Sequence, residues 1–215
     1  LQLVNDARRR MNYSPVASLS ADRSALKYTT LLNDVIQVVS DFGDWPSQFL
    51  EVTATAAACA TQVELNASAP IKRIHEIHTG TQVTPMVVRT IEEMRLFQRG
   101  SAVGIPRHFA LVDTSGINPR VRIHPRRTTT AMGFNAAVYT MPLLYASADA
   151  SKIPPWSKTL LVQGLMAQVY ADEAGGEESP QSQRSQGIFV TMLREEWNRS
   201  NVDLGTDVFV YPERR

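Results

Sequence analysis

The stretch FGDWPSQFLEVTATAAACATQVEL, residues 42–65, contains the change of periodicity that decides the fold. Upstream of it, apolar side chains follow the i, i+3, i+4, i+7 spacing of an amphipathic helix, at Leu32, Val35, Ile36 and Val39. We predict this helix over residues 20–42, because Gly43 and Pro46 supply its stop. Residues 49–65 are instead rich in Thr, Val and Ala with partial alternation, which is typical of strands.

Strand-like segments continue through the middle of the chain. They are the run IKRIHEIH after Pro70 and residues 107–113, 119–124 and 133–141. One short helix interrupts them, because the capping-box pattern T-x-x-E begins at Thr90 and Gly100 ends the helical spacing. The middle of the molecule is therefore predicted to be rich in β-strands.

Both ends of the chain carry helical patterns. Residues 1–11 place apolar side chains at helical spacing, and the arginines at positions 8–10 stand near the C-terminal end, where cations suit the helix dipole. Residues 156–174 follow two prolines and end at a pair of glycines, as a helix does. A last helix begins with the N-cap pattern Ser-Pro at residue 179 and continues to about residue 200.

This order of elements predicts an α+β fold. The simplest packing is a helical bundle made from both chain ends, with a β-rich lobe inserted between the helices. We assign residues 1–46 and 150–203 to the bundle and residues 47–149 to the lobe, which contains one short helix. Residues 204–215 form a C-terminal tail.

The composition is that of an ordinary globular protein. The 215 residues are 43% hydrophobic, which is enough to bury a core, and 22 Lys plus Arg against 21 Asp plus Glu give a formal charge of +1. Any electrostatic function must therefore be local. We expect no membrane association, because no apolar run is long enough to span a bilayer. The single cysteine, Cys59, excludes an internal disulfide, and its small-residue surroundings predict a buried position.

No pattern of catalytic or ligand-binding residues stands out. His75 and His78 are three residues apart in a predicted strand, where they would point to opposite faces and could not share a metal ion. The adjacent carboxylates at 92–93, 177–178 and 195–196 would lie about 100° apart on helices and would not converge on a substrate. Neither G-x-S-x-G nor a phosphate-binding glycine loop occurs. We expect no catalytic residue, no metal, no cofactor, and a protein that is not an enzyme.

The basic stretch NPRVRIHPRR, residues 118–127, is the one charged feature that suggests a function. Alternation places Arg120, Arg122 and His124 on one face of a strand, with Arg126 and Arg127 following, and no acidic residue occurs between Asp113 and Asp149. One interpretation is the charged protection of a sheet edge. The other is a weak contact with nucleic-acid phosphates that is independent of base sequence.

The ordered set of motifs resembles the head-to-tail adaptor (connector) proteins of tailed double-stranded DNA bacteriophages, the class that includes the tail tubular protein A of short-tailed phages. The resemblance covers most of the chain. It rests on the segments LVNDARRRM, APIKRIHEIH, TPMVVRTIEEMRLFQRG, GIPRHFALVD, PRVRIHP, VYTMPLL and KIPPWSKTLLVQGLMAQVYADEAGG.

The resemblance implies a structural virion protein at the head–tail interface that is made in the host cytoplasm. Such subunits form a homo-oligomeric ring, usually of twelve copies, with the portal protein above and the tail nozzle or tail tube protein below. The ring extends the channel through which double-stranded DNA leaves the head, and it provides the docking platform of the tail. On this basis part of the hairpin of residues 107–127 would face the channel or the neighbouring subunit, and the candidate contact residues are Arg120, Arg122, His124, Arg126 and Arg127.

The C-terminal tail has two interpretations. Its alternating residues Val208, Phe209, Val210 and Tyr211 could contact the portal protein, as the resemblance implies, or could be an ordinary disordered terminus. For the whole chain, the alternative to an adaptor is a nucleic-acid-binding or regulatory module that uses residues 118–127 without base recognition. That alternative predicts salt-sensitive DNA binding by the isolated chain.

Overall fold

The protein has an α+β fold, as predicted. The computed structural model describes residues 1–18, 23–67, 69–80, 84–97, 103–113, 118–125, 130–142, 144, 155–175 and 179–202. Its helices are α1 (Gln2–Arg10), α2 (Arg23–Phe42), α3 (Ile91–Phe97), α4 (Lys158–Glu173) and α5 (Pro180–Val202). Its strands are β1 (Phe49–Ala56), β2 (Gln62–Glu64), β3 (Ile71–Thr79), β4 (Val87–Val88), β5 (His108–Asp113), β6 (Arg120–His124) and β7 (Met132–Thr140).

The chain divides into two compact units. The helical unit comprises Leu1–Ser47 with Leu144–Arg215, and the β unit comprises Gln48–Leu143. Both ends of the sequence thus contribute helices to one unit, and the strands together with α3 form the other. Among the helices in the described ranges, none combines the length and the apolar character needed to cross a bilayer.

The helical unit is built around α4, which packs against α1, α2 and α5. Residues 160–165 of α4 are all buried, so this helix has an apolar environment on nearly every side. Gly164 permits the close approach, because a Cβ atom there would lie 2.5 Å from Val35 Cγ1 and 2.8 Å from Phe189 Cε2. The helix begins at Ser157, whose Oγ accepts a hydrogen bond from the Leu160 N–H at 3.3 Å.

The β unit contains two sheets that share one apolar core. The first sheet is antiparallel with the order β1-β7-β3, and the second has the order β2-β6-β5-β4, in which β4 runs parallel to β5. Alternate residues of β1 and β7 are buried, which gives the period of two expected of half-covered strands. The core side chains from the two sheets include Val52, Ile77, Val121, Ile123, Phe134 and Val138.

Candidate interaction site

The basic strand predicted from the sequence is β6, and its side chains alternate between two environments. Val121 and Ile123 are buried in the core of the β unit, while Arg120 is exposed and Arg122 and His124 are half-buried on the opposite face. Arg126 and Arg127 lie outside the described residues, as do Val208, Phe209, Val210 and Tyr211. The described part of the basic stretch therefore presents three side chains on one face of the second sheet.

The interpretation of this strand as a protected sheet edge was wrong. β6 pairs with β2 on one side and with β5 on the other, so it is an internal strand of the second sheet. β5 precedes β6 directly in the sequence, whereas β2 lies far from it. Because the short strand β2 pairs with the outer side of β6, β6 is not at the edge of the sheet. Charges on β6 therefore do not serve to prevent strand addition.

The positive charge of β6 is partly neutralised by its neighbours in space. Arg120 Nη2 lies 3.4 Å from Asp113 Oδ2, and the strand register places Glu64 directly opposite Arg120. Arg122 stands between Gln62 and Ala110 and is half-buried. Although the sequence between Asp113 and Asp149 contains no acidic residue, the fold brings carboxylates to this strand from both sides. Among the described residues of the basic stretch, Arg120 is therefore a compensated charge.

Helix α3 covers part of the same face. Met94 of α3 is fully buried, and the Phe97 ring stacks on the His108 and His124 rings with centroid separations of 5.4 Å to each. Burial lowers the pKa of His124, and the nearby His108 lowers it further. His124 is therefore more weakly basic than a free histidine. This part of β6 is thus covered by a stack of aromatic rings.

The start of α3 has the predicted capping box. The Thr90 N–H donates to Glu93 Oε2 at 2.9 Å, and the Glu93 N–H donates to Thr90 Oγ1 at 3.2 Å. Glu93 also lies 3.6 Å from Arg89 Nη1. One carboxylate of the 92–93 pair, that of Glu93, thus has a structural role in capping α3.

Several large apolar side chains of the β unit are exposed on α3, β4, β5 and the segment before β5. We call this set the apolar edge, and its members are Val87, Val88, Leu96, Phe97, Val103, Ile105 and Leu111. Val88 and Leu96 are the most exposed, at 63% and 62%. β4 is the last strand of its sheet in the described residues, so its outer backbone groups join this surface. Clusters of exposed large apolar side chains mark sites of protein–protein contact.

The argument that His75 and His78 point to opposite faces was wrong. A β-bulge between Ile74 and Glu76 interrupts the alternation of β3. The His75 ring contacts the Tyr139 ring on the outer face of the first sheet, and the register places His78 on that same face. His78 Nε2 lies 3.2 Å from Glu76 Oε1. In the described residues no three potential metal-ligating side chains come together.

The predicted burial of Cys59 was also wrong. Cys59 is exposed and has a φ of 63° in the turn after β1. The run of small residues around it therefore spans the end of a strand and a turn in the left-handed region, and does not continue into the core. Small side chains alone did not distinguish these two environments.

A second basic surface, which the sequence interpretation missed, lies in the helical unit. Asp6, Arg9, Arg10, Lys158, Thr159 and Val162 line a concavity of about 360 Å³ between α1 and the start of α4. The arginine run at positions 8–10 was its visible signal, but it was attributed entirely to the helix dipole. Only the packing of α1 on α4 brings Lys158 to the same place.

Comparison of the chain with protein-family models and with curated proteins gave no match.

Proposed function

We propose that this protein is a structural subunit of the head-to-tail adaptor type, which assembles with further copies of itself into a ring in a phage virion. The ring would sit between a portal protein above and a tail nozzle or tail tube protein below. It would extend the channel for double-stranded DNA without recognising base sequence and would provide the platform on which the tail docks. The order of sequence motifs and the α+β architecture are the grounds for this type of protein.

The observation that carries the proposal is the apolar edge of the β unit. A protein that acts through subunit contacts needs exposed apolar surface, since burial of such surface supplies most of the free energy of association. The apolar edge offers this on α3 and β4, and its backbone edge could also accept a strand from another chain. A heterologous contact between this surface and a different face of the next copy generates a closed ring when the rotation closes.

The nucleic-acid module built on residues 118–127 has less support. Its exposed arginine, Arg120, is paired with Asp113 and faces Glu64, and α3 covers the His124 end of the strand. A strand so compensated would attract phosphate groups weakly, because the counter-charges are already in place. In the adaptor proposal, β6 instead serves as the sheet surface on which α3 packs.

Electron microscopy with mass analysis tests the proposal, first on the chain alone and then on the chain mixed with the portal protein of the same virus. A ring in either sample is expected. Leu96→Glu should abolish that ring, because a charge would be placed on one of the two most exposed members of the apolar edge. Ile188→Glu is the matched control, since Ile188 is an exposed apolar residue of α5 in the helical unit.

Circular dichroism should show that both variants remain folded, because both residues are exposed. A wild-type chain that stays monomeric with and without the portal protein would refute the adaptor proposal. Rings that survive Leu96→Glu unchanged would refute the assignment of the apolar edge as the subunit contact, while leaving the ring itself in place.

A further inference from the structure

The concavity between α1 and α4 has a local excess of positive charge. Arg9, Arg10 and Lys158 contribute three cations, and Asp6 contributes the one carboxylate in its lining, which leaves a net charge of +2. This is twice the formal charge of the whole chain, concentrated in a cavity of about 360 Å³. The surface is therefore a local source of positive potential on an otherwise nearly neutral protein.

Asp6 organises two of the three cations. Its Oδ1 lies 3.4 Å from Arg9 Nη1, and its Oδ2 forms an ion pair with Lys158 Nζ. The Asp6 side chain is only 22% exposed, whereas those of Arg9 and Lys158 are 67% and 50% exposed. The carboxylate thus lies beneath the two cations and holds them together, and their outer faces remain open to solvent.

Arg10 completes the cluster. It lies in the last turn of α1, is exposed, and has no ion-pair partner within the ranges that the structure describes. A guanidinium group presents a planar fork of N–H donors that fits two oxygens of a phosphate group. The Thr159 hydroxyl, also in the lining, adds a neutral donor. The lining is thus mostly polar and offers donors without a matching set of acceptors.

We propose that this concavity binds phosphate groups, with Arg10 as the principal contact and Arg9 and Lys158 as its partners. The proposal does not depend on ring assembly, since every residue belongs to one helical unit of one chain. Phosphate groups could be supplied by the backbone of a nucleic acid or by a small phosphorylated molecule. The chemistry of recognition is the same for both, and the number of phosphates engaged at once distinguishes them.

The test measures binding of the isolated full chain to a fluorescently labelled 30-base-pair DNA duplex and, separately, to inorganic pyrophosphate. Arg10→Gln should weaken binding of whichever probe binds by about threefold to tenfold. If the duplex binds, the slope of log affinity against log salt should become shallower by about 0.9 for each phosphate contact removed. Arg184→Gln is the matched control, because Arg184 is an exposed arginine of α5 in the same unit.

Each outcome has a defined meaning. Duplex binding that depends on Arg10, with pyrophosphate competing no better than other salts of equal ionic strength, assigns the site to a nucleic-acid backbone. Saturable pyrophosphate binding that depends on Arg10 assigns it to a small phosphorylated ligand. The proposal is overturned if Arg10→Gln and a double Arg9→Gln, Arg10→Gln variant match the wild type, if Arg184→Gln weakens binding equally, or if neither probe binds at low salt.

Discussion

Replacing Gly164 by Ala should destabilise the helical unit, although the same change stabilises most helices. Ala is favoured over Gly in a helix interior by about 1 kcal/mol. At Gly164, however, the added Cβ would lie 2.5 Å from Val35 Cγ1 and 2.8 Å from Phe189 Cε2, well inside van der Waals contact. These neighbours belong to α2 and α5, so the methyl group would push two helices away from α4.

The size of the effect follows from the balance of these two contributions. Inserting a methyl group into a packed core typically costs about 1–3 kcal/mol. Val35 and Phe189 are themselves almost completely buried, at 0% and 2% exposure, and Val35 is β-branched, so neither can rotate into open space. After subtracting the gain in helix propensity, we expect Gly164→Ala to lower the free energy of unfolding by up to about 2 kcal/mol, with a central value of about 1 kcal/mol.

Gly187→Ala is the matched control for this prediction. Gly187 lies in the interior of α5, where an added Cβ would have nothing within 4 Å. Only the difference in helix propensity remains, so the variant should be more stable than the wild type by about 0.5–1 kcal/mol. The same substitution in two helices of one unit is therefore expected to have opposite signs.

Urea denaturation followed by tryptophan fluorescence measures both variants. The three tryptophans of the chain, Trp45, Trp156 and Trp197, all belong to the helical unit, so the signal reports on that unit. The midpoint should fall for Gly164→Ala and rise for Gly187→Ala, with an unchanged dependence on urea. If Gly164→Ala stabilised the unit as much as Gly187→Ala does, the close packing of α2, α4 and α5 would be refuted.

Three further predictions concern single contacts. Thr90→Ala removes the acceptor that caps α3 and should cost about 1 kcal/mol, seen as faster amide exchange in α3; unchanged exchange would contradict the capping role. Ser185→Ala removes the buried hydroxyl that accepts a hydrogen bond from Gln163 Nε2 at 2.9 Å. It should lower the free energy of unfolding, measured by urea titration, by about 1 kcal/mol, and no change would show that this hydrogen bond does not stabilise the fold. Because the folded pKa of His124 is lowered by burial and by His108, its contribution to stability is complete above its ordinary value of 6.5 and is lost as the pH falls from there through the folded pKa. The protection factors of the α3 amides, which are corrected for the intrinsic pH dependence of exchange, should therefore fall below pH 6.5, and His124→Asn should flatten that dependence.

The division of the chain into helical and strand-rich parts was predictable because it depends on local periodicity. The period of apolar residues changes from 3.6 to 2 after Gly43. Helix α2 ends just before that change, at Phe42, and β1 begins just after it, at Phe49. The capping box at Thr90 was predictable for the same reason, since all its atoms lie within one helical turn. Such features can be predicted without knowing which segments pack against them.

The strand order and the bulge were not predictable in this way. Whether β6 is an edge depends on β2, a strand of three residues, Gln62–Glu64, which has little pattern of its own. The bulge next to His75 reverses the facing of part of β3, and nothing in the alternation of IKRIHEIH marks its position. Both features are decided by pairing with distant segments, and both changed the interpretation of candidate site residues.

The position of carboxylates in space, and not the density of arginines in the sequence, determines which basic surface can attract phosphate groups. The basic strand β6 lies in a segment without acidic residues, between Asp113 and Asp149. In the folded sheet, however, Asp113 pairs with Arg120 and Glu64 lies opposite it. In the concavity between α1 and α4, a single carboxylate, Asp6, pairs with two of three cations, Arg9 and Lys158, and leaves an excess of positive charge. Since the whole chain carries a formal charge of only +1, attraction of a polyanion must come from such a local excess. If our proposal is right, binding of phosphate groups is therefore expected in the helical unit and not at the basic strand of the β unit.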